Sequence, residues 1–349
     1  MKIFISRISD GYSMWILLFS MLISFLTTYL IAPYFMQFLR AGGIVGLDLH
    51  KRGRPKLPTS GGTCVAAGVL AGVLTYIGLT TFLVGLSSNV TQFFAVLSSV
   101  LIILFVGFLD DLNVKAKAVI TKEGLDIRVG FPQWAKPLLT LPAAIPLMVV
   151  NAGETMMNIP FFGVVDFGIF YPLILIPIGV VGASNAINLL GGFNGSESGM
   201  GMVYMFGLGI FAFMMDNFTA IIFLSTFAAL AGYIKYNWYP AKFLPGDSLT
   251  YLLGAVVASG VIVGNMEKFG LIVMIPFIIE FILKLRSKFK ASCLGKLRDN
   301  GTLKPPYGKT IYSLTHVIMN IKPMKEKDVT IFLILIEIIF VLIAFSGLI

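Results

Sequence analysis

Two adjacent carboxylates, Asp110 and Asp111, close a long apolar run in GFLDDLNVKAK (107–117), with no basic residue before Lys115. Like charges this close repel strongly where the dielectric is low, and a helix C-terminus adds to the strain because its macrodipole disfavours anions. A metal ion, or a phosphate carrying one, is the compensation to expect beside them. A second group lies in NAINLLGGFNGSESG (185–199), where Asn185 and Asn188 stand three residues apart and share a helix face. Asn194 and Glu197 follow in a glycine-rich turn. Amide oxygens, a carboxylate and flexible backbone suit a hard cation and a planar polar ligand such as a nucleobase, although a plain helix hairpin would read the same way. Asp247 follows Pro245-Gly246 in NWYPAKFLPGDS (237–248). Helix N-capping is its simplest role, and a capped Asp is also a rigid ligand, so Asp247 with Asn188 makes a partial magnesium cage. Lys136 opens an apolar segment alone, where its long stem can reach a phosphate beside the Asp pair. His50 and His316 are the two histidines, a residue type that is more often structural than catalytic when isolated. Lys51, in DLHKRGRPKLPTSGG (48–62), most simply belongs to a basic loop.

These residues need elements to hold them, and the hydropathy supplies ten. Apolar stretches fall at about 12–38, 60–86, 91–109, 136–152, 168–187, 200–215, 218–236, 248–264, 269–284 and 329–349. Several approach the ~20 residues that a hydrocarbon core demands. Pro137, Pro142, Pro146, Pro172, Pro177 and Pro276 imply tilted or broken helices among the shorter ones. With Met1 outside, the inner loops (about 39–59, 110–135, 188–199, 237–247 and 285–328) hold 23 of the 26 Lys and Arg, counting Lys136, Lys235 and Lys284 at their edges. The positive-inside bias then puts both termini outside and every motif above at cytoplasmic helix ends. The expected fold is an all-α integral membrane protein of about ten transmembrane helices, residues 1–349 forming a single polytopic domain.

Composition agrees. Hydrophobic residues make up 57% and charged residues 12%, with a mean hydropathy of +0.90, which excludes an ordinary soluble domain. The net charge of +9 is a loop property, better matched by membrane lipid headgroups and phosphorylated ligands than by nucleic acid. Two cysteines without metal-ligand spacing build no disulfide framework.

GFLDDLNV, NAINLLGGFNG-x-E-x-G and NWYP-x-x-x-x-x-GD, in this order at inner helix ends, resemble the polyprenyl-phosphate N-acetylhexosamine-1-phosphate transferases. Within that family the likeness is nearest to the archaeal and eukaryotic branch that makes dolichyl-diphosphate N-acetylglucosamine. Thr59, where the eukaryotic branch usually has Glu, and the CLGKLRDNG segment (293–301) depart from the eukaryotic pattern, and an archaeal enzyme fits both departures. The resemblance implies transfer of a sugar 1-phosphate, GlcNAc 1-phosphate by preference, from a UDP-sugar to polyprenyl (dolichyl) phosphate with Mg2+, or Mn2+ in its place, releasing UMP in the first membrane step of glycan assembly. It implies that Asn188 and Asp247 hold the metal and that Asp110 and Asp111 sit at the acceptor phosphate. Gly192, Phe193, Asn194 and Glu197 would surround the uridine. Lys136 and Asn237 would lie next to the diphosphate, and Lys296 and Arg298 near the sugar, with Asn185, Lys51, Thr59 and His316 as further substrate contacts. A homodimer is left open. The alternatives are a bacterial-type transferase of cell-wall or O-antigen synthesis and, in a different class, a cation-coupled transporter or lipid flippase, whose acids would sit near the bilayer midplane.

Overall fold

The computed structural model describes residues 2–113, 119–120, 126–127, 130–159 and 163–347. Residues 114–118, 121–125 and 128–129 of the expected second inner loop, Lys115 and Lys117 among them, lie outside the described residues, as do the side chains of Lys2 and Arg7.

The chain begins with α1 (Lys2–Ala41), a small hairpin of β1 (Val45–Leu47) and β2 (Lys56–Pro58), then α2 (Gly62–Leu83) and α3 (Val90–Asn113). A second hairpin, β3 (Val119–Ile120) with β4 (Asp126–Ile127), precedes α4 (Ala135–Thr140) and α5 (Ile145–Val149). After the hairpin β5 (Met156–Ile159) and β6 (Gly163–Asp166) come α6 (Ile176–Leu189), α7 (Ser196–Met214), α8 (Ala220–Asn237) and α9 (Gly246–Val263). The chain ends with α10 (Glu267–Val273), α11 (Ile275–Leu285), the hairpin β7 (Lys296–Leu297) and β8 (Leu303–Lys304), α12 (Leu314–Ile321) and α13 (Glu326–Ser346). All four hairpins are two-stranded and antiparallel. The protein is an all-α integral membrane protein, and the strands are confined to its connections.

Among the described residues eight helices are long and apolar enough to cross a bilayer. The other two apolar stretches are broken, and proline is the cause in both. A 3-10 turn, Leu141–Ala144, joins α4 to α5 where Pro142 and Pro146 withhold their N–H groups. Met274 separates α10 from α11 just before Pro276. A single π turn, Tyr171–Leu175, starts the fifth stretch at Pro172.

Lipid offers apolar side chains no incentive to leave it, so helices in a membrane associate through close packing of small residues and through hydrogen bonds. The central helix α9 shows how closely. A Cβ on Gly62 of α2 would fall 2.3 Å from Leu249 N, and one on Gly107 of α3 would fall 2.6 Å from Ser248 Cα. Halfway along, a Cβ on Gly254 would lie 2.3 Å from Ser184 Cα of α6. Three helices therefore meet α9 backbone to backbone, and 89% of its residues are buried. The same packing joins α1 to α8, where Ser24 Oγ donates to Ser225 O at 2.6 Å.

Helix direction sorts the ends of the bundle. α3 and α6 finish, and α4, α7, α9 and α13 begin, at the end that holds the acids. At the opposite end Lys268 Nζ donates to Gly347 O at 3.1 Å, joining the start of α10 to the end of α13.

Two predictions follow from this packing and this sorting. Gly254→Val drives two methyls into the α6 backbone, so it should lower the yield of folded, monodisperse protein in detergent by a large factor, while Gly78→Val, which faces open space, should not; size-exclusion chromatography compares them. With Cys64 and Cys293 replaced, a cysteine at the exposed Ser88 should react with an impermeant thiol reagent on intact cells, and one at the exposed Asn300 only after permeabilisation.

Candidate active site

The site is built on helix ends, and a lysine stands at its centre. Lys136 in the first turn of α4 places Nζ 2.8 Å from Asp110 Oδ2 and 2.5 Å from Asp247 Oδ2. The same ammonium lies 5.8 Å from the Tyr251 ring centroid. Asn188, at the end of α6, donates Nδ2 to Asp247 Oδ2 at 3.2 Å, and Thr250, one turn along α9, donates its hydroxyl to Asn188 Oδ1 at 3.1 Å. Four helices, α3, α4, α6 and α9, thus converge on one charged network.

Part of the compensation expected for the Asp110–Asp111 pair comes from the protein itself. Asp111 accepts the backbone N–H of Asp247 at 2.7 Å and of Ser248 at 3.2 Å, two first-turn amides of α9. Its negative charge therefore sits on the positive end of a helix macrodipole and satisfies donors that no intrahelical acceptor can reach. Gly246 makes this possible, since its φ is +70° and a Cβ there would lie 2.3 Å from Asp111 Oδ2. Asp110 accepts the Phe131 N–H at 2.6 Å and holds Lys136 with its other oxygen. The expectation that Asp247 caps α9 is corrected accordingly: Pro245 occupies the N-cap, Asp247 lies inside the first turn, and the capping carboxylate is Asp111 from α3. Freed from that duty, the Asp247 side chain is 26% exposed, against 0% for Asp110 and 4% for Asp111.

It is exposed to a cavity of about 580 Å³. Its lining draws on Thr59, Asp111, Lys136, Asn188 and Asp247, on Gly191, Gly192 and Glu197 of the glycine turn, and on Lys284 with the 289–294 segment. Glu197 holds the glycine turn in shape: its Oε1 accepts the Gly192 N–H and its Oε2 the Ser196 hydroxyl, both at 2.7 Å. The turn is tied to the 289–294 segment by Cys293, which donates Sγ–H to Gly191 O at 2.9 Å. Burial pushes the Cys293 thiol up to about 11, so it remains a protonated donor at neutral pH.

Of the residues singled out in the sequence, this cavity gathers Asp111, Lys136, Asn188, Gly192, Glu197, Asp247 and Thr59 directly, with Asp110 beneath Lys136. Others the structure puts elsewhere. Asn185 shares a helix face with Asn188 but turns to α4, donating Nδ2 to Thr140 Oγ1 at 3.1 Å. Phe193 is 1% exposed and packs on the His50 ring, centroids 4.6 Å apart. Asn194 is 4% exposed and donates Nδ2 to Asp48 at 3.0 Å, so its amide fastens the first inner loop and has no cavity surface. Asn237 is fully buried, accepting from Ser198 and donating to Phe243 O, and joins the end of α8 to α7. Lys51 pairs with Asp48 and Glu326 and covers the Tyr239 ring. Lys296 and Arg298 are exposed on β7 and beside it, away from the cavity lining. His316 is fully buried and accepts the Tyr312 N–H at Nδ1; desolvation, then the nearby Lys284 charge, lowers its pKa to about 4, so it is neutral under physiological conditions.

Sequence reasoning missed Thr250 and Lys284. Thr250 follows Asp247 by three residues, the spacing that shares a helix face, and that signal was available. Lys284, 3% exposed, lies in the last turn of α11, donating to Ala291 O at 2.9 Å and facing Glu280 at 3.5 Å.

Known proteins extend the comparison beyond geometry. A sequence profile of glycosyl transferase family 4 matches residues 93–265, the span from the start of α3 to the end of α9. A protein of Saccharolobus solfataricus, provisionally named a UDP-N-acetylglucosamine–dolichyl-phosphate N-acetylglucosaminephosphotransferase, is 35% identical across 94% of this chain and 95% of its own. A Dictyostelium discoideum protein bearing that name without qualification is 26% identical across 93% of this chain and 86% of its own. A phospho-N-acetylmuramoyl-pentapeptide-transferase of Streptococcus pyogenes serotype M6 is 31% identical across 76% of this chain and 78% of its own. The matched span contains Asp110, Asp111, Lys136, Asn188 and Asp247, every member of the charged network at the helix ends, and the chain belongs to glycosyl transferase family 4.

Proposed function

We propose that the protein transfers N-acetylglucosamine 1-phosphate from UDP-N-acetylglucosamine to a dolichyl phosphate at the cytoplasmic face of the membrane, releasing UMP. The observation that carries this reading is the Lys136–Asp110–Asp247–Asn188 network in a cavity at the helix ends of an apolar bundle. A water-soluble nucleotide sugar and a membrane-held phosphate can meet only at such a boundary. The names of the archaeal and Dictyostelium relatives, which the chain matches over almost its whole length, support the donor and the acceptor. The excess of Lys and Arg at this end supports the cytoplasmic side.

The reaction joins two anions, so catalysis rests on positioning and on compensating charge. An oxygen of the lipid phosphate attacks the sugar-bearing phosphorus, a new P–O bond forms, and the bond to the UMP oxygen breaks with its electron pair. A phosphomonoester is largely dianionic at neutral pH, its second pKa being ~6, and needs little help from a base. Lys136 faces the cavity with its charge already oriented by Asp110 and Asp247 and can stabilise a phosphoryl oxygen without reorganising. Asp111 has both oxygens engaged by α9 amides and Asp110 lies under Lys136, an arrangement that supports positioning roles for both and direct attack by the lipid phosphate over a phospho-aspartate.

Magnesium fits the residues present. Hard cations take carboxylate and amide oxygens, and Asp247, the most exposed of the three carboxylates, stands beside Asn188. Among the described residues no three His, Cys, Asp or Glu side chains form a metal-holding group, which suits an ion that takes one or two protein ligands and completes its shell with phosphates and water. Asp247 and Asn188 would hold the ion, which when bound neutralises charge on the diphosphate.

Purified protein given polyprenyl phosphate and magnesium should release UMP from UDP-N-acetylglucosamine in preference to UDP-linked muramoyl-pentapeptide; release from neither, or preference for the second, overturns the proposal. Asp247→Ala and Lys136→Met should each lower turnover by roughly 10²–10³-fold or more while keeping the parent's elution profile. Magnesium should raise the melting temperature of the parent in the presence of UDP-sugar and leave that of Asp247→Ala unchanged. An equal rise in the variant removes Asp247 from the metal site.

A further inference from the structure

Beside the cavity lies a buried charged cluster that the chemistry above does not use. Glu326, the first residue of α13, is 3% exposed, and Asp48 and His50 of the first inner loop are each 5% exposed. Glu326 Oε1 accepts the backbone N–H of Asn194 at 2.8 Å, and His50 Nδ1 lies 3.5 Å from the same oxygen. Lys51 pairs with Glu326 Oε2 and, at 3.6 Å, with Asp48. The opposite nitrogen of the imidazole, Nε2, accepts the backbone N–H of Gly295 at 3.2 Å. That acceptor role leaves the ring proton on Nδ1, directed at Glu326.

Two main-chain segments are therefore gripped by one carboxylate–imidazole pair. The first is the glycine turn, held at Asn194 N and again at Asn194 O by the Thr330 hydroxyl at 3.1 Å. The second is the segment through Cys293 and Leu294, held at Gly295 N. On their far sides both segments line the cavity. They also touch directly, since a Cβ on Gly192 would fall 2.7 Å from Leu294 Cδ2. A buried charge with three donors around it is rigid, because any displacement leaves it unpaired in a medium where that is costly.

We propose that Glu326 and His50 are positioning residues that set the spacing between the glycine turn and the 292–295 segment, and thereby the fit of the UDP-sugar. They touch no reacting atom. The inference rests on the reading that this part of the cavity takes the nucleotide sugar while the lipid phosphate meets the Asp110–Lys136 wall. Loosening the grip should then weaken donor use and spare acceptor use, whereas a merely structural cluster would lower both, or only the melting temperature.

Steady-state kinetics with UDP-sugar and polyprenyl phosphate varied in turn test this. Glu326→Ala should raise the KM for UDP-sugar by roughly tenfold or more, the loss expected for a hydrogen bond to a charged group, with the KM for polyprenyl phosphate within about twofold of the parent. His50→Phe keeps a ring on Phe193 while losing both nitrogens, and should shift the same parameter in the same direction. Glu326→Gln keeps an oxygen for the Asn194 N–H and should recover much of the donor KM; it also carries the test with His50→Phe if the alanine variant does not fold. An unchanged donor KM, equal rises for both substrates, a loss confined to kcat, or a glutamine variant no better than alanine each overturns the proposal. A parent protein that releases no UMP from any UDP-sugar instead overturns the reading beneath it.

Discussion

The Asp111 carboxylate on the first turn of α9 is the interaction on which the rest of the site depends. It joins the C-terminus of one membrane helix to the N-terminus of another, ends whose dipoles are of opposite sign, and the anion lies between a carbonyl end that repels it and an amide end that attracts it. The contact is close only because Gly246 and Gly107 keep side chains out of the crossing. Because Asp247 follows Gly246 directly, fixing those amides also fixes where its carboxylate emerges, and Lys136 and Asn188 then complete a network with a single arrangement. A lysine held between two carboxylates would be a poor stabilising device by itself, since desolvation offsets much of the Coulomb gain. Its worth lies in the preorientation of charge, which a soft or solvated site would have to supply at the moment of reaction.

The broken helices belong to the same logic. A chain that must seat a charged cavity at its membrane boundary cannot use full-length rods everywhere, because unsatisfied backbone groups are tolerated only where protein or a watered cavity covers them. Pro142 and Pro146 shorten the fourth stretch, and α4 is left as a stub of six residues. Lys136 sits in that stub, in the first turn of a helix that α3 and α6 enclose. The interruption at Pro276 similarly lets α11 diverge from α10, and its end delivers Lys284 to the cavity wall.

How much of this was legible follows from where each residue's partner lies. Asp110, Asp111, Lys136, Asn188 and Asp247 were recognisable because charge and amide groups at membrane depth are expensive, so their presence alone is informative. The ten apolar stretches and their prolines were legible for the same reason, hydropathy being a local property. Asn194 and Asn237 carried the same signal, yet the amides of both are engaged by buried partners. Those partners, Asp48 for the one and Ser198 for the other, are separated from them by 146 and 39 residues. No pattern in NAINLLGGFNG says that the amide turns away from the cavity. The capping of α9 was hidden similarly: a helix start containing Asp reads as self-capped, and only the fold reveals that the cap comes from α3. Lys284 was obscured by its setting among the many Lys and Arg of the last inner segment, where one buried cation is indistinguishable from its solvated neighbours.

Three carboxylates, Asp111 and Asp247 on the wall and Asp110 buried beneath it, surround one lysine, Lys136. The α9 N-terminus offsets about half an elementary charge of the remainder. A diphosphate approaching that wall would meet net negative charge, and a lipid phosphate beside it would add more. On the proposed function, the imbalance would favour a divalent cation entering with the substrates over one permanently caged by protein, since the wall supplies excess negative charge and only one carboxylate with appreciable exposure. Lys284, the other buried lysine of the lining, already pairs with Glu280 at 3.5 Å. The electrostatics of the wall and the sparse ligand set lead to the same expectation: metal affinity should be weak without nucleotide and strong with it, a coupling in which each ligand supplies what the other lacks.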